Sequence, residues 1–202
     1  MKEIHLFNTV SFDHYVKSKI DLIKKELLNS NQKILNENSN DLARQIAEKY
    51  YLKRITVDYD SLKTTVIPQQ VMHYRRPVMT HFIEYEFEFI GNSELLECKP
   101  SNSVCGIGYP VVVTVTGNKI AFSVNSEGIV TNGGQPLERA KMYAKAVFDY
   151  IDCNLESLNI SIDSWNSTLE EELRVAIIDR RSQLQMIIDK KKEIEDKLNP
   201  FK

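Results

Sequence analysis

The sequence predicts an α+β fold: N-terminal helices, an antiparallel β-sheet, and two long C-terminal helices, the last of them coiled-coil-like. Three observations carry this. Apolar residues recur at helical spacing up to about residue 50 and again from residue 136 onward. The stretch between switches to period-two alternation, clearest from Phe82 to Ile90. Helices and strands are therefore segregated along the chain rather than interleaved, as in α+β proteins.

Ser11 is placed to cap a first helix on which Tyr15, Val16, Ile20, Ile23, Leu27 and Leu28 share one face. The Asn- and Ser-rich run from Asn29 to Asn40 reads as a loop, with Ser39 or Asn40 as the next cap. Leu42, Ile46 and Tyr50 mark a second helix. Arg54–Tyr59 and Lys63–Ile67 read as two half-buried strands. In Phe82–Ile90, Ile83, Tyr85, Phe87 and Phe89 face one way and Glu84, Glu86 and Glu88 the other, so one sheet face is buried and the other wet. Gly117-Asn118 between two further alternating runs signals a hairpin. Pro136 suits the first turn of a helix carrying Leu137, Ala140, Ala144, Val147, Ile151, Leu155 and Leu158. A break is expected near Asn159 to Ser164, with Ser164 capping the last helix. The expected organisation is a globular domain over 1–160 and a helical extension over 161–202, packing on 136–158 and on a partner.

The last helix has the sharpest pattern. Leu173, Ile177, Arg180, Leu184, Ile187, Lys191, Ile194 and Leu198 fall at alternating steps of four and three, the spacing of a helix–helix seam. Leu173, Ile177, Leu184, Ile187, Ile194 and Leu198 are its candidate interface residues, and the stretch beyond Leu184, with Ile187, Ile188, Ile194 and Leu198, outruns the helix from Leu137 to Leu158 and is the expected partner end. Residues 163–202 hold nine acidic and eight basic side chains, which excludes a basic membrane-surface helix.

The 202 residues carry 42% hydrophobic and 27% charged side chains and a net charge of −2, ordinary for a globular protein and without a global field for nucleic acid. Cys98, Cys105 and Cys153 make no CxxC pair and are odd in number, so free thiols in a reducing cytoplasm are expected. Neither a secretory leader nor a run of about 20 apolar residues is visible.

Residues 61–83 contain Lys63, His73, Arg75, Arg76 and His81 and no Asp or Glu. Tyr74, Arg75 and Arg76 are the candidate anion or nucleic-acid contact, because arginine grips phosphate with two donors and an aromatic ring stacks on a base. The competing reading is a solvated loop, or arginines pairing with the Glu84 row. Glu97-Cys98-Lys99 matches half of a metal-dependent nuclease signature but lacks its partner aspartate, and is read as exposed edge charges. The histidines show no metal-binding spacing. Cys105 has no adjacent base, and no G-x-S-x-G elbow exists. Gly133-Gly134 lacks the lysine of a phosphate loop and reads as a turn. No catalytic residue, metal or cofactor is expected.

Tyr74-Arg75-Arg76-Pro77, the run Glu84 to Gly91, Leu95 to Ser101 and the tail from Ser164 to Leu184 together resemble an uncharacterised bacterial domain found at the N-terminus of proteins with a restriction-endonuclease-fold C-terminal part. The likeness covers residues 40 to 198. It implies a non-catalytic recognition or assembly module in bacterial defence. The chain stops at Lys202 with no nuclease region, which implies a separate effector or a fragment. The expected function is thus a non-enzymatic sensor or scaffold using its C-terminal helices, with nucleic-acid binding at Arg75 and Arg76 as the alternative.

Overall fold

The period-two segments do form a sheet. The computed structural model describes residues 1–102, 105–131 and 134–198. The strands are β1 (Lys2–His5), β2 (Val10–Ser11), β3 (Thr56–His73), β4 (Arg76–Ile90), β5 (Cys98–Lys99), β6 (Val112–Thr116) and β7 (Lys119–Asn125). The helices are α1 (Phe12–Asn29), α2 (Asn31–Asn36), α3 (Ser39–Tyr50) and α4 (Gln135–Leu198), with a 3-10 turn at Ser93–Glu97. The α+β class is as expected. Contacts divide the chain into two units: a sheet unit of Met1–His14 with Lys53–Ile162, and a helical unit of Tyr15–Leu52 with the chain from Asp163 onward.

In the sheet unit five antiparallel strands run in the order β1-β6-β7-β4-β3. A short parallel pair, β2 with β5, stands apart. The alternation in β4 buries Ile83, Phe87 and Phe89, as its spacing requires. The ring of Phe148 on α4 sits 5.2 to 5.8 Å from those of Phe122, Tyr59, Phe87 and Tyr85, so this helix covers the sheet's apolar face. Burial, then the Asp152 carboxylate that it donates to at 2.5 Å, pushes the Tyr59 hydroxyl above its ordinary range. Gly117, at φ +61°, takes the left-handed turn of the β6–β7 hairpin. At Gly91 (φ +128°) a Cβ would lie 2.7 Å from the Arg54 carbonyl oxygen, so no larger residue fits.

The two strands expected at Arg54–Tyr59 and Lys63–Ile67 are one. The register jumps from Asp58↔Glu88 to Lys63↔Glu86, so β3 loops out between those pairs. Ser61 closes the gap: its Oγ accepts from the Glu88 N–H at 2.7 Å and donates to the Asp58 carbonyl at 2.5 Å. That bulge interrupts the pattern without ending the strand.

The break expected at Asn159 to Ser164 is absent, and α4 runs unbroken through it. Of the expected extension over 161–202, the described part, 161–198, therefore cannot pack on 136–158, since both belong to one helix. Ser157 and Ser161 donate to the carbonyls of Cys153 and Ser157, the i−4 bond that lets serine sit inside a helix. Asn159 spends its amide on a neighbouring backbone, accepting from the Ile55 N–H at 2.9 Å and donating to the Ile55 carbonyl at 2.8 Å.

In the helical unit Ile23, Leu27, Ile34, Leu42, Ile46, Trp165, Leu169, Leu173 and Ile177 form the core. The mate of the C-terminal seam is thus the N-terminal helices, which the division at residue 160 had grouped with the sheet. The expected loop from Asn29 to Asn40 contains α2, and Asn38, not Ser39 or Asn40, caps α3 by accepting from the Asn40 N–H at 2.8 Å. Asn166 clamps Leu52 as Asn159 clamps Ile55, accepting from its N–H at 2.9 Å and donating to its carbonyl at 2.8 Å. The Trp165 indole donates to the Tyr50 carbonyl at 3.2 Å.

Candidate functional site

Two surfaces hold the residues singled out by sequence, and each is built locally. The first is the seam of α4 in the helical unit. Leu173, Ile177 and Leu184 are buried. A cavity of about 190 Å³ lies between Ile20, Ile23 and Leu27 of α1 and Trp165, Leu169 and Leu173 of α4. Arg180 stays in the seam by donating to Asn31 Oδ1 at 3.1 Å. Arg181, not singled out beforehand, donates from Nε to the Ile34 carbonyl at 2.6 Å and from Nη2 to the Glu37 carbonyl, so it satisfies carbonyls left open at the end of α2. Glu26 on α1 binds Lys49 at 2.5 Å and accepts from the Tyr50 hydroxyl at 3.0 Å. The Lys49 hydrogen bond, outweighing partial burial, lowers its carboxyl below the usual glutamate value.

Cover stops at Leu184. Every residue from Gln185 to Leu198 is exposed, including Ile187 (60%), Ile194 (58%) and Leu198 (76%). The six proposed interface residues therefore separate: three belong to the core of the helical unit and three stand on a bare helix with Met186 and Ile188. Spacing alone does not distinguish them, because both groups obey the same period; the end beyond Leu184 is uncovered as expected, although the mate that stops short is the N-terminal helices and not 136–158.

The second surface is the end of the β3–β4 hairpin. Residues 68–81, for which a solvated loop is the competing reading, form a two-stranded ribbon. β7 pairs with β4 only from Phe82 to Glu88, and the segment after it still bonds Thr80 and the His81 backbone through Asn125, Ser126 and Gly128, so the ladder from Gln70↔Met79 to His73↔Arg76 has no third strand. Tyr74 and Arg75 make the turn with φ of +45° and +63°. Tyr74 is 89% exposed, and Arg75 and Arg76 are exposed, their side chains making no hydrogen bond or ion pair among the described residues. Pairing with the Glu84 row does not occur. Glu84 stands opposite Thr65, eight residues along the strand from Arg76, or roughly 27 Å at strand rise.

The remaining motifs are occupied elsewhere. Glu97 pairs with Lys2, whereas Lys99 lines a cleft of about 460 Å³ with Phe7, Asn8, Cys105, Tyr150 and Asn154. Among the described residues no three His, Cys, Asp or Glu side chains gather as a metal site. His81 Nδ1 accepts from the Val130 N–H at 3.1 Å. Gly133 lies outside the described residues. The free-thiol expectation is corrected: Cys105 and Cys153 form a disulfide, Cα atoms 6.1 Å apart, while Cys98 is buried and stays a thiol. Such a bond persists where thiols are not kept reduced, so the cytoplasmic expectation loses the support that free thiols gave it. Among the described residues no helix is long and apolar enough to cross a membrane.

Comparison of the chain with known protein families, with curated proteins and with solved structures finds no match, so the functional reading rests on these two surfaces.

Proposed function

We propose that the protein is a non-enzymatic assembly module that pairs with a second copy through the distal part of α4. The supporting observation is the abrupt loss of cover at Leu184, beyond which an apolar row continues on an otherwise bare helix. An isolated helix of this length is marginal in water, and packing against a partner supplies what propensity does not.

Charge favours an antiparallel copy. Asp189, Lys190, Lys191 and Lys192 sum to +2 (three cations, one carboxylate), and Glu193, Glu195, Asp196 and Lys197 sum to −2 (three carboxylates, one cation). A parallel pair stacks like halves. An antiparallel pair sets each half against its opposite, with Ile187 level with Leu198 and Lys191 level with Ile194. Burying the exposed parts of Ile187, Ile188, Ile194 and Leu198 in both copies gains about 8 to 12 kcal/mol, which the cost of association largely offsets. A weak, micromolar pair is the expectation. The resemblance of residues 40 to 198 to a domain that precedes nucleases gives such a module a setting in bacterial defence.

Sedimentation equilibrium tests this. The wild-type mass should rise with concentration, and Ile187→Asp with Ile194→Asp should hold it at one chain. Added salt should weaken the pair. A monomer at all concentrations, an unaffected double variant, or association strengthened by salt would refute the antiparallel copy.

A further inference from the structure

We infer that the ribbon of residues 68–81 is a contact arm for double-stranded nucleic acid, DNA being the form its shape fits. The inference owes nothing to the pairing of α4. A hairpin of two strands without a third is marginal in water, so the ribbon leaves unmet the packing that stabilises the rest of the sheet. Its composition points to the occupant. Arg75 and Arg76 give it two full cations, His73 and His81 add imidazoles, and no carboxylate occurs in it, although the whole chain is net negative. Glu127, the carboxylate lining the cleft beside Val71, His73 and Val78, is held by Arg139 at 2.9 Å. A polyanion therefore meets free cations at the tip and a neutralised acid at the base.

Two other occupants fit less well. Another β-strand is disfavoured by Pro68 on one edge and Pro77 on the other, since neither nitrogen donates to a ladder. An acidic peptide would meet two arginines and then a largely uncharged ribbon. Double-stranded DNA suits the whole: a two-stranded ribbon enters the major groove, Arg75 and Arg76 reach phosphate or guanine edges, and exposed Gln69 and Gln70 match adenine edges. The turn itself agrees. Left-handed positions of this kind favour Asn-Gly, and Tyr74 and Arg75 are strained there, so those side chains serve something other than the turn.

The test is fluorescence anisotropy with a labelled mixed-sequence 30-base-pair DNA, full-length protein and a salt series. Binding should be micromolar at low salt, with log K falling against log salt by about 1.8 per ribbon for two phosphate contacts. Arg75→Glu with Arg76→Glu should weaken binding more than tenfold and flatten the slope, while circular dichroism and sedimentation stay as in wild type. Replacing residues 69–80 by an Asn-Gly turn should abolish binding. No binding at low salt, or binding unchanged in both variants, overturns the proposal. So does loss of self-association, without DNA binding, when the ribbon is removed, because the arm is then a protein contact. Equal binding to a single-stranded RNA of the same length would overturn the groove and leave only charge.

Discussion

Asn166 lies inside a long helix, where asparagine is a poor helix former, yet its amide makes two bonds to one residue. Changing it to Ala should improve helix propensity slightly and remove both bonds. Leu52 is buried, so its N–H and C=O would then lack partners. Each net hydrogen bond contributes about 1 kcal/mol, and each buried group left unpaired costs about 1 to 3 kcal/mol. Water reaching one of the two groups lowers the sum, which leaves about 2 to 4 kcal/mol of destabilisation. The chain's single tryptophan, Trp165, is the adjacent residue and is itself buried and bonded to Tyr50, so its fluorescence reports this region directly. Urea unfolding followed at Trp165 should show the midpoint falling for Asn166→Ala with little change in slope. The control is Ser182→Ala on the exposed face of the same helix, expected within about 0.5 kcal/mol of wild type. If Asn166→Ala unfolds at the control's midpoint, the clamp contributes nothing and the unbroken helix needs another explanation.

Two more outcomes follow from the bonds described. With Cys105 and Cys153 joined, protein unfolded without reductant should present one titratable thiol rather than three; Cys153→Ser should destabilise by up to about 4 kcal/mol for a bridge across a separation of 48 residues, and three titratable thiols would disprove the bond. The Glu26 carboxyl is lowered in the fold, so its contribution is complete above the ordinary glutamate value of 4.5 and fades as pH falls through the lowered value; Glu26→Gln should remove that component of acid unfolding, and identical acid profiles would refute it.

Much of the fold was legible because its signals are local. The alternation around Phe87 named the buried face of β4, Gly117-Asn118 named the β6–β7 hairpin, and the four-three spacing after Leu173 named a helix face. Misreadings arose where a local signal had a distant cause. Asn159 and the nearby serines looked like a helix end because those side chains compete with helical hydrogen bonds. In the fold Asn159 is spent on Ile55, more than a hundred residues away in sequence. The bulge closed by Ser61 likewise looked like two strands, and residues 68–81 like a loop, because their pairing partner must be known before they read as a ribbon.

By itself, the sequence determined the class of fold and the apolar faces of its elements, and it singled out the six seam and three tip candidates. It also determined the charge pattern of the last turns of α4 and the absence of acids along 61–83. The tertiary structure decided the rest: that one helix replaces two, that the N-terminal helices are what covers Leu173, Ile177 and Leu184, that Cys105 meets Cys153, and that Arg75 and Arg76 stand clear of the glutamate row. The physical reason is common to all four. Periodicity states which face a residue occupies, but cover, pairing and exposure depend on which distant segment arrives at that face.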